Sequence, residues 1–212
     1  MSVSRNNIIA SKVEKCRLAE VAILRGGYAF RAAIPAVADG DVPVIQVKDF
    51  EAGHEAKWSR TVRTVLSREP SPDEWLRPGD ILFAFRGTRF FAATLDDVPH
   101  RAIASSQFMI IRVKDAAMLL PSFLAWQLNS PPSRTYFEES AEGTAQRSLR
   151  RAAIENVSIA IPGTSIQTSI VELAALGKRE RAVLEELIQV REQQLNQISL
   201  SLLAAVDRSR EQ

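Results

Sequence analysis

The chain has 212 residues, 46% of them hydrophobic and 25% charged, with a formal net charge of +2. That length suits one ordinary domain with an appendage, and that composition excludes a largely disordered or low-complexity chain. No run of about 18 apolar residues is present and the first residues, with Arg5, Asn6, Asn7 and Lys12, lack the apolar core of a secretory signal, so a cytoplasmic protein is expected. A single cysteine, Cys16, excludes an internal disulfide and a cysteine-based zinc cluster.

Up to Pro162, short runs of β-branched and aromatic residues between turn signals predict strands at 42–47, 61–66, 81–85, 90–95, 106–113 and 157–161. The spacing predicts a helix over 121–128, with Pro121 in its first turn and Phe123, Leu124, Trp126 and Leu128 apolar, ended by Asn129-Ser130-Pro131-Pro132. A second helical pattern covers 149–156. All ten prolines lie at or before Pro162, and beyond it only Gly163 and Gly177 interrupt the chain. This shift divides an α+β, strand-rich domain over residues 1–162 from one long helix over 163–212.

Thr164 and Gln167 have the spacing of a capping box at the start of that helix. Ile170, Ala174, Gly177, Arg181, Leu184, Ile188, Arg191, Leu195, Ile198, Leu202 and Ala205 then come in steps of three and four, with Leu173 and Leu187 beside them. A helix of about forty residues is roughly 60 Å long, about twice the span of a small domain. Its apolar stripe calls for another helix, so Ile170, Leu173, Leu184, Ile188, Leu195, Ile198 and Leu202 are the expected dimerisation residues. Arg181 and Arg191 interrupt the seam and can fix its register against Glu180, Glu185, Glu186 or Glu192.

Templates for catalysis fit poorly. Gly26-Gly27 is followed by Tyr28 and not by the Lys-Ser/Thr of a phosphate loop, and His54 and His100 are isolated. Asp49, Glu55 and Lys57 can be assembled into a Mg²⁺-dependent nuclease set, but Gly53-His54 breaks the strand that should carry it. Asn129-Ser130-Pro131-Pro132 departs from the loop with which adenine-amino methyltransferases hold a flipped base, since a serine is inserted and the stacking aromatic is missing. No catalytic residue, metal or cofactor is expected. Two local blocks carry positive charge without acids: Lys57, Arg60, Arg63 and Arg68, and Arg147, Arg150 and Arg151.

The remaining pattern is a series of short motifs. Leu76-Arg77-Pro78-Gly79-Asp80-Ile81-Leu82 launches a strand that ends in a basic, glycine-containing tip, Arg86-Gly87-Thr88-Arg89. It resembles the Leu-Lys/Arg-Pro-Gly-Asp-Ile-Leu strand entry of type I restriction-modification specificity subunits. Further likenesses to that family fall in the same order. They are Leu18 to Ala22 with Gly27 to Phe30, Val44 to Asp49, Ser105 to Arg112, and Phe123 to Ser130. The most specific is Gly143-Thr144-Ala145-Gln146-Arg147-Ser148-Leu149, followed by Ile154, Ile159-Ala160-Ile161-Pro162 and Gln167. The chain departs from the family at Gly163-Thr164-Ser165-Ile166, at Ser148 where asparagine is usual, and in length. A complete member carries two recognition domains and two helices, and this chain has one of each.

The resemblance implies that the domain reads one half of a split DNA site, that the helix spaces it from the other half, and that methyltransferase and restriction subunits bind around the helices. Tyr28, Lys48, Lys57, Arg60, Arg86, Thr88, Arg89, Gln146, Arg147 and Arg150 are the expected contacts to double-stranded DNA. Of these, Gln146 suits adenine and Arg86 and Arg89 suit guanine, because their side chains can make paired hydrogen bonds to those base edges. Two copies joined by antiparallel helices would rebuild the pseudo-symmetric whole as a homodimer. The competing readings are a DNA-binding adaptor of another phage-defence or regulatory complex with this fold and the nuclease above.

Overall fold

The described residues of the computed structural model are 14–50, 55–144 and 146–210, with side chains described up to residue 200. The run Ile81–Ala84 (β5) is apolar at every position, so it has no polar side to turn towards water, and all four residues are buried. It lies within a four-stranded antiparallel sheet ordered β2 (Ala22–Gly26), β8 (Phe108–Val113), β5 and β6 (Phe91–Thr94). Ile81 and Phe83 join Leu24, Ala92, Met109 and Ile111 in one core, while Leu82 and Ala84 join Phe91, Ala93, Phe108 and Ile110 in another. Alternation along the strands thus feeds two cores from one sheet.

Helices cover the first face. α2 (Pro121–Leu128) contributes Phe123, Leu124, Ala125 and Leu128, α3 (Pro131–Ser140) contributes Phe137, and α4 (Arg151–Asn156) contributes Ile154. Against the second face packs a sheet ordered β4 (Val62–Thr64), β3 (Val42–Ile45) and β7 (Ile103–Ala104), with β3 antiparallel to β4 and parallel to β7. Ile45 and Ala104 meet the four-stranded sheet, and Val42, Val44 and Ile103 turn away into a third cluster around Tyr28. β1 (Glu14–Arg17) leads into α1 (Leu18–Val21) and pairs antiparallel with β9 (Ser158–Ile161), which ties the first described strand to the last. No helix among the described residues is long and apolar enough to cross a membrane.

The six expected strands are present, trimmed at their ends, but β1, β2, β7 and the helices α1 and α3 go beyond the expectation. The prolines read as a stop signal after α2 also open α3, because the first turn of a helix has no use for the missing proline N–H and Arg134 still donates to the Ser130 carbonyl at 2.9 Å. Side-chain amides then stand in for missing strands. Gln127 exchanges two hydrogen bonds with the backbone of Ala160 in β9, at 2.7 and 2.9 Å. Asn129 does the same with Ala92 on the edge strand β6, at 2.7 and 3.0 Å. Both close backbone edges that would otherwise be open.

α5 (Thr164–Arg210) is a single helix of 47 residues, about 70 Å at 1.5 Å per residue. The expected capping box does not form. Gln167 is fully buried and uses its amide on the Leu120 amide at 2.9 Å and on the Met118 and Pro162 carbonyls at 2.8 Å each. Buried polar atoms must be satisfied, and Leu120, Met118 and Pro162 take up this side chain in place of the Thr164 amide. The chain divides into two compact units between Val171 and Glu172. The first turns of α5, through Ile170 and Val171, therefore belong with the domain core.

Asp80 is 1% exposed and accepts from Arg112 Nε at 2.7 Å, from Arg112 Nη2 at 2.8 Å and from the Arg77 amide at 2.9 Å. This two-point contact, strengthened by the charges, joins the entry of β5 to β8 and holds the Arg112 guanidinium further above its ordinary pKa. Replacing Asp80 with alanine leaves the half-buried Arg112 guanidinium only Asp73 at 3.5 Å and the Trp75 carbonyl at 3.3 Å, and is expected to cost about 2 kcal/mol in urea unfolding, whereas an unchanged midpoint would show the pair to be dispensable.

Candidate nucleic-acid interface

Beyond β5 the chain passes through a tip at 86–90 and returns as β6. Gly87 takes φ +121° there, a conformation side chains rarely adopt. The tip is tied to a distant loop: the Gly87 amide donates to the Arg147 carbonyl and the Leu149 amide to the Phe85 carbonyl, both at 3.0 Å. Glu142 and Ser148 exchange backbone hydrogen bonds at 3.0 and 2.9 Å, so the loop between them closes on itself. These bonds set the tip that carries Arg86, Thr88 and Arg89 beside the loop that carries Gln146, Arg147 and Arg150. All six are exposed except Arg147, which is half-buried.

The arginines of this surface are held in place. Arg147 is ion-paired with Glu138 and lies 5.7 Å from the Phe90 ring, while Arg150 Nε meets Glu142 at 2.8 Å. Arg86 lies 5.0 Å from the Phe85 ring. Arg151, from the same basic block, is turned back to Glu155 at 2.6 Å and to the Leu24 carbonyl at 3.1 Å. Arg89, Phe90, Arg134 and Glu138 line a cleft of about 200 Å³. Sequence reasoning missed Arg134 and Glu138 because it did not find α3. The signal that could have exposed them is their four-residue spacing, which puts both on one helix face.

Lys48, Lys57 and Arg60 form a second group around Asp49. The Asp49 carboxylate is 1% exposed and accepts from the Gln46 amide at 2.8 Å. Burial raises its pKa against the pull of that amide and of Lys48 and Arg60. The Lys57 amide donates to the Asp49 carbonyl at 2.9 Å, and Lys57 Nζ meets Glu55 at 3.4 Å. A carboxylate turned inward to a backbone amide is poorly placed to hold Mg²⁺, and no group of three or more His, Cys, Asp or Glu among the described residues is arranged for a metal. Gly53 and His54 lie outside the described residues. The Phe50 ring touches Phe91 at 5.5 Å and Phe108 at 5.4 Å, which sets this segment against the start of β6, close to the tip.

Two expectations are corrected. Tyr28 is 1% exposed, its hydroxyl donates to the Arg68 carbonyl at 3.2 Å and accepts from the Arg68 amide at 3.1 Å, and the Arg68 guanidinium covers its ring at 4.2 Å. It anchors the third core cluster and presents nothing to DNA. Ile170, expected on the seam, is partly buried against the domain's own core. Leu173, Leu184, Ile188, Leu195 and Ile198 are exposed, at 51% or more, together with Leu176, Val183, Leu187, Val190 and Leu200. The side chains of Leu202 and Ala205 lie outside the described residues.

No protein-family model and no curated protein matches the sequence. The fold, however, is that of type I restriction-modification S subunits. The S subunit structure from M. genitalium matches with a TM-score of 0.57 and 14% identity, over 90% of this chain and 44% of that one. The HsdS subunit from Thermoanaerobacter tengcongensis matches with a TM-score of 0.58 and 20% identity, over 87% of this chain and 42% of that one. A chain from a structure of complex assembly and conformational transition in a type I system matches with a TM-score of 0.58 and 19% identity, over 85% and 42%. The chain thus spans less than half the length of each.

Gly143 has φ +92°, and a Cβ there would sit 2.6 Å from the Gln146 carbonyl oxygen. Gly143→Ala is therefore expected to cost about 1–3 kcal/mol and to speed hydrogen exchange at the Ser148 and Leu149 amides. Unchanged exchange would mean that the loop does not depend on this turn.

Proposed function

We propose that this chain is a non-catalytic DNA-specificity subunit of a type I restriction-modification system, that it reads one half of a bipartite site, and that it pairs through α5 with a second copy. The observation that carries the reading is the pair of backbone hydrogen bonds that joins the tip of Arg86, Thr88 and Arg89 to the loop of Gln146, Arg147 and Arg150 in an S-subunit fold. Lysine and arginine side chains contact phosphates and fix register, while Gln146, Arg86 and Arg89 have the paired donors and acceptors that base edges in the major groove require.

Pairing is supported by the exposed face of α5. Leu173, Leu184, Ile188 and Leu195 give the seam, and Leu176, Val183, Leu187 and Val190 widen it. A stripe this broad exceeds what a two-helix seam covers. The second copy takes the seam, and a methyltransferase subunit, with a restriction subunit in a restricting system, covers the flank. Antiparallel pairing gives two-fold symmetry, so the site read is an inverted repeat around an unspecified gap.

The test is methylome sequencing of cells that carry this chain with its methyltransferase. An inverted-repeat motif is expected. Inserting one heptad after Leu184 lengthens the helix by about 10 Å and should widen the gap by about three base pairs. A non-palindromic motif would refute the homodimer, and an unchanged gap would refute the helix as ruler.

A further inference from the structure

Two glutamates stand among the arginines of the proposed DNA-reading surface, Glu142 against Arg150 and Glu138 against Arg147, and only the second lines the cleft. Glu138 lines the cleft of about 200 Å³ with Arg89, Phe90 and Arg134, and its carboxylate is ion-paired with Arg147. Arg147 is held twice, because its Nη1 meets that carboxylate while its Nη2 donates to the Glu138 carbonyl at 2.7 Å. With both terminal nitrogens occupied, the two-point grip of a guanidinium on a phosphate or a guanine edge is blocked while the pair is closed. The two side chains are 35% and 50% exposed, so opening the pair costs little. Glu138 also lies in the last turn of α3, where the helix dipole disfavours an acid.

We infer that Glu138 is a specificity-determining latch: it withholds Arg147 from the phosphates of non-cognate DNA and releases it when the loop carrying Gln146 seats on its bases. This rests on the DNA-reading proposal above. Non-specific binding is almost entirely phosphate electrostatics, so a carboxylate that neutralises one arginine and repels the backbone weakens non-specific binding. On the cognate site, base contacts by the Gln146 loop draw Arg147 off Glu138. Arg134, one turn before Glu138 on α3, then grips the same stretch of backbone beside it. The latch widens the ratio between specific and non-specific affinity without touching a base itself.

The test compares the full chain with Glu138→Gln for binding to a short mixed-sequence DNA duplex over a range of salt concentrations. The variant should bind about fivefold tighter, the scale of one exposed ion pair. Its plot of log affinity against log salt should steepen by about 0.9, the contribution of one more phosphate contact. Adding Arg147→Gln to Glu138→Gln should restore the shallower slope. The variant should melt no lower than the wild type, since the dipole penalty is relieved. If the wild type binds the duplex and Glu138→Gln binds with the same or lower affinity, the latch is overturned and the DNA reading stands. Failure of the wild type to bind any duplex at low salt would overturn both.

Discussion

The Gly87 amide bonds to the Arg147 carbonyl and the Leu149 amide to the Phe85 carbonyl, and these two contacts decide which side chains can act together. Without them the tip after β5 is an ordinary hairpin turn and the Gly143 loop an ordinary excursion. With them, segments far apart in sequence become neighbours. The constraint works because both ends are rigid. β5 is buried on both faces, and the closing bonds between Glu142 and Ser148 leave the loop few alternatives. Side chains that must meet a fixed array of phosphates and bases need such rigid carriers.

Much of the family-like sequence proves to be scaffold. Asp80 of the Pro-Gly-Asp entry is buried against Arg112, Asn129 closes the edge of β6, and Gln167 ties the first turns of α5 to Met118 and Leu120. The motifs were legible, but their roles were not, since each partner lies well away in sequence. The apolar strands could be read because they are buried on both faces and leave continuous runs. β1 is mostly charged, and the short apolar start of β2, Ala22 to Leu24, is cut off by Arg25 and Gly26. α3 was hidden because Pro131-Pro132 is equally good at ending one helix and starting the next. Arg134 and Glu138 were hidden with it. Gln167 had genuine capping spacing, yet two tertiary partners, Met118 and Leu120, with the Pro162 carbonyl outweighed one local amide.

The surface itself is only mildly basic, in keeping with a net charge of +2. Arg147 and Arg150 each face a glutamate, and Arg151 is turned back to the domain. The DNA reading proposed above gains from such balance. Unopposed arginines would bind every phosphate backbone alike, whereas paired ones hold firmly only where base contacts add to the attraction.

The helix raises the other half of the problem. The proposed half-site reading needs a partner at a fixed distance, and the exposed apolar face of α5 supplies a reason for pairing that is independent of any DNA contact. The most direct measurement of that claim is the mass of the purified chain in solution, by light scattering across a range of concentrations. The account predicts a species of twice the 23.5 kDa chain that reverts to single chains when Leu184 and Ile188 are both changed to aspartate. A chain that stays at 23.5 kDa at every concentration would contradict it.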